Sequence, residues 1–516
     1  MHSAPQQSPT SRSRLRAPLF VPLGALLLYA LRFPYGYGVS DQAEFVPFLL
    51  HLLDPSILNA DWFVAGQQAA LSVRTPFVWL LWALSQLLPV HVSVLVMYGA
   101  TWGALAFAVY ALAQLLLKDR IAAAAAVVVA LVLTPQWTLG GNDLVHSMLV
   151  PSMAGWSLGL WGLVMLWRGR VMIAVVLIGM ATWMQALVGL QLALLCGVTL
   201  LLQQSGRKKL LRAAPLWLVL ALPVLLPLAM QQTADTVPSQ YYILAEFRAP
   251  HHYLFFSFPP ATLVKFGILT VAGLASFAIL RRRLAVGHRI MLQNLLMGIL
   301  ACCMLAFLGT EVIPLIGVAQ LQLFKTTVLA KLLFVILACG AAIVHVPGWR
   351  RLDRAFAPAG WSVCILLALW LVVGGGPKPR EDAPMARIGN WARTHTATDA
   401  VFAVPPSWSG FRSRAERAIV VNFKAFPFHP ARNLEWFQRL TDLAPMTLPA
   451  RGYPALADSL DASFFRLPPT QLQHLVSKYA FDYVVRATTL PVESPAYTEV
   501  FSAGAWSVYR ITEATP

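Results

Sequence analysis

The chain has 516 residues, of which 58% are hydrophobic and only 12% charged. Soluble globular chains carry about 25% charge, so this composition excludes a protein that is water-soluble along its whole length. The formal net charge of +17 does not indicate nucleic acid as a partner, because the basic residues form short clusters between apolar runs, as loop anchors of a membrane protein do.

Residues 1–16 are polar, with Arg12, Arg14 and Arg16, and read as a disordered cytoplasmic N-terminus. Residues 17–376 read as a membrane domain with about eleven transmembrane helices. A crossing needs about 20 apolar residues. The runs lie at 17–33, 92–117, 121–139, 147–167, 171–186, 188–203, 211–230, 263–280, 289–308, 326–346 and 355–375. The first run leads into Tyr35-Gly36-Tyr37-Gly38 without a small-residue cleavage site, so it is expected to be retained as a helix.

Two stretches do not fit single crossings. Residues 171–203 lie between Arg168/Arg170 and Arg207–Lys209. Both clusters belong on one side, so the stretch predicts two short helices meeting on the other side near Gln185–Gln191, as broken helices do when they line a cavity. The run at 76–89 is too short to cross and reads as re-entrant or interfacial.

With these spans the remaining clusters, Lys118/Arg120, Arg281–Arg283 with Arg289, and Arg350/Arg351/Arg354, fall on the cytoplasmic side. Eight of the ten acidic residues before 377 fall on the other face, which makes that face the candidate for chemistry. The five cysteines all lie in apolar runs and read as small hydrophobes.

From 377 onward the charge balance is that of a soluble protein, with 15 Lys and Arg against 12 Asp and Glu. The tail alternates helical patterns (386–396, 434–443, 471–479) with strand-like runs (400–404, 419–423, 483–486). It reads as a small α/β periplasmic domain, 377–516. The predicted fold class is therefore an α-helical polytopic membrane protein with a C-terminal α/β domain on the outer side of the membrane.

In the first outer segment Asp41 and Glu44 are three residues apart, on one face of a helix that begins there. A carboxylate at this boundary can act as general base, or hold a divalent cation against a phosphate. The same spacing fits a capping box with Asp41 as N-cap. Asp54-Pro55 reads as a turn and Asp61-Trp62 as an interfacial anchor. Farther on, Asp143 and His146 precede the helix expected from 147, where Asp143 suits either a cap or a cavity site. Arg248, His251 and His252 suit a phosphate, a metal or plain packing. Lys325 and Lys331, near the outer end of a later span, suit an anionic headgroup or snorkelling. There is no phosphate-binding Walker loop, glycine-rich dinucleotide fingerprint, His-Glu-x-x-His or Cys-x-x-Cys.

The residues Tyr35-Gly36-Tyr37-Gly38…Asp41…Glu44, Asn59–Phe63, Phe247–Tyr253 and, in the tail, Pro405-Pro406…Gly410-Phe411-Arg412…Arg417…Phe423-Lys424…Pro427 carry a resemblance to the GT-C superfamily of polytopic glycosyltransferases. The resemblance spans most of the chain through loose motifs. It implies a sugar transferred from a polyprenyl-phosphate donor at the outer face. It also implies membrane lipid and the lipid-linked sugar as partners. Asp41 then matches the base or metal ligand, followed by Glu44 and Asp143. Arg248, His251, His252, Lys325 and His146 become substrate contacts, and short helices near Gln185 become the cavity floor, with Trp183 as a sugar platform. Many members have two adjacent acids where this chain has Asp41-Gln42, a departure that counts against a strict metal-binding site; a cation such as Mg or Mn stays an open cofactor, and no metal ligands are assigned. A non-enzymatic lipid or polysaccharide transporter and an envelope scaffold are the competing readings.

Overall fold

The computed structural model describes residues 18–231, 237–345, 356–374, 383–427, 429–452 and 456–512. The polar N-terminus 1–16, Arg350–Arg354, Asp235 and the predicted domain junction around 377 lie outside them.

The first part of the chain is built from helices. They are α1 (Phe20–Arg32), α2 (Val46–Leu53), α3 (Trp62–Ala69), α4 (Thr75–Ser85), α5 (Val90–Leu117) and α6 (Arg120–Val128). Then come α7 (Pro151–Trp167), α8 (Val171–Met184), α9 (Ala186–Leu201), α10 (Gln204–Ala229), α11 (Pro250–Tyr253) and α12 (Pro260–Leu280). The series ends with α13 (Val286–Phe307), α14 (Ile316–Leu321), α15 (Thr327–Val344) and α16 (Phe356–Gly374). Among the described residues, six helical stretches are long and apolar enough to cross a membrane: Val90–Leu117, Gln204–Ala229, Pro260–Leu280, Val286–Val312, Ile316–Val344 and Phe356–Val373. Several of them expose large apolar side chains outward, such as Leu218, Val219 and Leu222 on α10 and Leu366, Leu369 and Trp370 on α16. A water-soluble protein would bury such faces, so they are lipid-facing surfaces of a multi-pass membrane protein.

Five shorter apolar helices accompany these, including α1, α4, α8 and α9. At about 1.5 Å per residue, α4 with its 11 residues reaches little more than half of a bilayer core. The chain breaks between α8 and α9 at Gln185, whose backbone is extended (φ −154°, ψ 104°). The two helices then pack closely, because Gly189 leaves no room for a Cβ beside Thr182. The helix predicted from 147 starts later, at Pro151, whose fixed φ suits the first turn.

The C-terminal part contains α17 (Ala383–His395), β1 (Val401–Ala403), α18 (Phe411–Ala415), β2 (Ala418–Ile419), α19 (Pro430–Leu443), α20 (Leu456–Phe465), α21 (Pro469–Tyr479), β3 (Tyr483–Ala487), β4 (Tyr497–Ala503) and β5 (Trp506–Ile511). One five-stranded sheet runs β2-β1-β3-β5-β4. β1 is parallel to both β2 and β3, whereas β5 is antiparallel to β3 and β4. The strand expected at 419–423 ends at Ile419, and residues 420–426 run on as irregular backbone. The side chains of β3 alternate between two cores, as a pleated strand requires. Val485 packs with Ile388, Phe402 and Phe411 on one face, and Val484 faces a second cluster.

That second cluster joins the two parts of the chain. It contains Trp62, Phe63, Ile243, Phe247 and Tyr253 from the membrane part, together with Val420, Val421, Phe426, Trp436 and Phe437 from the C-terminal part. Phe247 makes edge contacts with Phe423, Trp436 and Phe437 at 5.1–6.4 Å between ring centroids. The C-terminal domain is therefore seated on the loops at one end of the helices.

Candidate functional site

Asp61 anchors this seat. Its Oδ1 accepts the backbone N–H groups of Phe63 and Val64, capping α3. Its Oδ2 accepts Arg412 Nε at 2.7 Å and Ile419 N–H at 3.0 Å. Both side chains of the Asp61–Arg412 pair are fully enclosed. Where Asp61-Trp62 is expected as an interfacial anchor, Asp61 anchors the C-terminal domain and Trp62 packs in the shared core.

The capping box expected for Asp41 and Glu44 does not form. Ser40–Glu44 is a single 3-10 turn, and α2 starts at Val46 without a side-chain cap. Gln42 satisfies this turn instead, accepting the Gly38 N–H at 2.7 Å and donating to Leu149 O at 3.3 Å. Both carboxylates are thereby free to pair with cations from elsewhere. Asp41 pairs with Lys424 of the C-terminal domain, and Glu44 with Arg74 just before α4. Asp41 keeps 38% of its side chain accessible, and Glu44 only 5%.

Other charged groups converge here. Glu44 and Asp41 both act electrostatically on Arg248. Lys325 lies within reach of Asp41 and Arg74, and His146 within reach of Asp41, Asp143 and Lys325. Arg248 donates to Lys424 O at 2.9 Å and lies over the Phe423 ring at 4.7 Å. His251 and His252 leave α11 with ring centroids 4.1 Å apart, although helical neighbours point about 100° apart. They press on Gly140-Gly141, both with positive φ; a Cβ on Gly141 would lie 3.0 Å from the His252 ring. The His252 Nδ1–H donates to Gly140 O at 2.6 Å, which leaves Nε2 as the lone-pair nitrogen.

Burial and neighbouring charges shift several of these groups. Burial pushes the Asp41 carboxyl up, but the Lys424 ammonium, followed by Arg74 and His146, outweighs it and holds Asp41 well below the usual carboxylate range. For Glu44, burial prevails over Arg74 and Lys424, and its carboxyl is raised. Burial, with the neighbouring cations, pushes His251 down to about 2. Burial pushes His252 down to about 4, against the Gly140 carbonyl. His146 is lowered by burial as well. At neutral pH the histidines are therefore hydrogen-bonding groups without charge. The positive charge comes from Arg74, Arg248, Lys325 and Lys424, two more cations than the Asp41 and Glu44 carboxylates need.

Asp143 sits at the edge of this cluster in a different role. It accepts Lys331 Nζ at 2.6 Å, Gln136 N–H at 2.6 Å and Leu144 N–H at 2.7 Å. It caps no helix, and Lys331, wholly buried, neither snorkels nor faces a headgroup. Trp183 donates to Leu220 O at 2.8 Å and so packs on α10. Gln185 lies against Gly155 of α7. Neither makes a described contact with the charged cluster.

Two members of the cluster were not singled out by residue pattern. Arg74 had a signal, being the one basic residue in the acidic segment 33–75. Lys424 had none beyond its place in the tail motif. Among the described residues, no three His, Cys, Asp or Glu side chains converge as metal ligands. Each site carboxylate is already matched to a cation, so this donor set fits a divalent cation poorly.

Residues 383–443 match a family described as a domain of unknown function (DUF6798). The matched stretch is confined to the start of the C-terminal domain and contains both Arg412 and Lys424. No curated protein matches the chain.

Proposed function

We propose that this protein is a GT-C-like membrane glycosyltransferase that moves a sugar from a polyprenyl-phosphate donor to an acceptor at the outer face of the membrane. One observation carries the reading: Asp41 and Glu44 lie among four cations and three neutral histidines, where the helices meet the C-terminal domain. The surplus cations suit a phosphate dianion. By the positive-inside rule, the basic clusters at the opposite end face the cytoplasm and put this site outside.

In the reaction the acceptor oxygen attacks the anomeric carbon as the bond from that carbon to the phosphate oxygen breaks. The electron pair leaves on the phosphate, and the acceptor proton passes to a carboxylate. Arg248, Lys325 and Lys424 balance the leaving charge. Asp41 paired with Lys424 is a weak base. A donor phosphate that draws the Lys424 ammonium to itself raises Asp41 and makes it a stronger one, which couples proton transfer to donor binding. No step is assigned to a metal.

That each carboxylate already has a partner favours a second reading, an anion-binding lipid transporter without chemistry. Glycosyl transfer from a panel of radiolabelled polyprenyl-phosphate sugars separates the two, with wild type and Asp41→Asn compared. Turnover by wild type that disappears in a folded Asp41→Asn supports the transferase. Specific lipid binding by both proteins, with no turnover from any donor, overturns it in favour of the transporter.

A further inference from the structure

We infer that the opposite, basic end of the helices holds a second site, a pocket for the phosphate headgroup of an anionic membrane lipid. A hollow of about 580 Å³ opens where α5 ends, α6 begins and α12 and α15 finish. Three cations rim it: Lys118, the left-handed residue that ends α5; Arg120, the first residue of α6; and Arg283, just past α12. None of the three has an ion-pair partner among the described residues, and all three are exposed. The single acid in the lining, Asp119, is committed to capping α6 through Ala122 N–H at 2.9 Å.

The wall beneath the cations is aliphatic, formed by Leu117, Leu280, Leu284, Ile343 and Val344. A cationic rim directly above an aliphatic wall matches a lipid, with phosphate outside and acyl chain against the helices, better than a free phosphate ion. Gln114 lines the same hollow, and its carboxamide oxygen is buried with no hydrogen-bond partner among the described residues. It suits a hydroxyl donor on the headgroup. Lys118 and Arg283 also sit at helix C-termini, where they interact favourably with the helix dipole, an effect that Arg120 at the start of α6 does not share. That effect requires neither a hollow nor an aliphatic wall.

This pocket is separate from the carboxylate cluster. Tyr98 donates to His146 O at 3.0 Å near that cluster. From Tyr98 to Leu117 along α5 is about 30 Å at 1.5 Å per residue, the thickness of a bilayer core. The pocket does not depend on the transferase reading.

The test is native mass spectrometry of the full-length protein in detergent, titrated with phosphatidylglycerol or phosphatidylcholine. Wild type is expected to hold phosphatidylglycerol at least about fivefold more tightly. Lys118→Ala/Arg120→Ala/Arg283→Ala is expected to lose that preference, and Arg120→Lys/Arg283→Lys to keep it. Arg207→Ala/Lys208→Ala/Lys209→Ala, which removes basic charge outside the hollow, is expected to leave it intact. Equal binding of the two lipids by wild type overturns the proposal. So does a preference that survives the first variant, or one that the last variant abolishes. Competition by millimolar inorganic phosphate overturns the choice of a lipid and assigns the cations to a free anion.

Discussion

The seat of the C-terminal domain depends on the enclosed Asp61–Arg412 pair, and the two sides of that pair are not equivalent. Removing one partner of a buried ion pair costs about 3–5 kcal/mol. In Arg412→Met, Asp61 still accepts the N–H groups of Phe63, Val64 and Ile419. Its isolated charge stays partly compensated, so the cost should fall at the lower end, about 3 kcal/mol. In Asp61→Asn, Arg412 loses the acceptor of its Nε, and its two terminal nitrogens have no hydrogen-bond partner among the described residues. The Phe63 ring, 5.2 Å away, remains against the guanidinium. That cost should reach about 5 kcal/mol. The double variant Asp61→Asn/Arg412→Met should cost less than the sum, because neither charge is then stranded.

Hydrogen exchange of the full chain in detergent, read at amides 418–426, measures the opening of this seat. Arg412→Met should speed exchange there by about two decades, and Asp61→Asn by more than three, at about 1.4 kcal/mol per decade. If both single variants exchange within tenfold of wild type, or if their effects simply add in the double, then the pair does not hold the domain down.

Three further outcomes are expected. Lys424→Ala removes the cation that holds Asp41 low; the acidic limb of any transfer activity should then move to higher pH, and an unmoved limb would show that Asp41 does not set it. His252 titrates near 6.5 when unfolded but near 4 when folded, so the unfolded chain binds more protons between those values. Stability should therefore fall as pH drops from about 6.5 to 4, and thermal melts at pH 7 and pH 5 should differ less in His252→Gln than in wild type. Gly141→Ala strains a residue at φ +64° and pushes a methyl toward the His252 ring; it should destabilise by more than about 1 kcal/mol, measured by thermal melting, whereas Gly287→Ala, with open space around it, should not.

Much of the helical plan is legible in composition and spacing. Apolar runs mark where helices form, because an extended apolar segment in lipid must satisfy its own backbone. The basic clusters at 168–170 and 207–209 predict the paired short helices α8 and α9, and the break falls at Gln185. The alternating tail predicts β1 and β3 with the helices around them. The hairpin of β4 and β5 carries no such pattern, because its sequence mixes polar and apolar residues on both faces.

Composition and spacing alone establish a membrane protein with a soluble-type tail, acids that gather away from most of the basic clusters, and Asp41 and Glu44 at a boundary. Those properties depend on local composition, which the chain carries wherever it folds. Which charge meets which depends on the three-dimensional fold. Asp61 finds Arg412 across 351 residues, Asp41 finds Lys424 instead of its own helix end, and Asp143 is taken up by Lys331. A carboxylate's partner, and hence its protonation and its use, is set by distance in space, and no spacing rule along the chain encodes that distance.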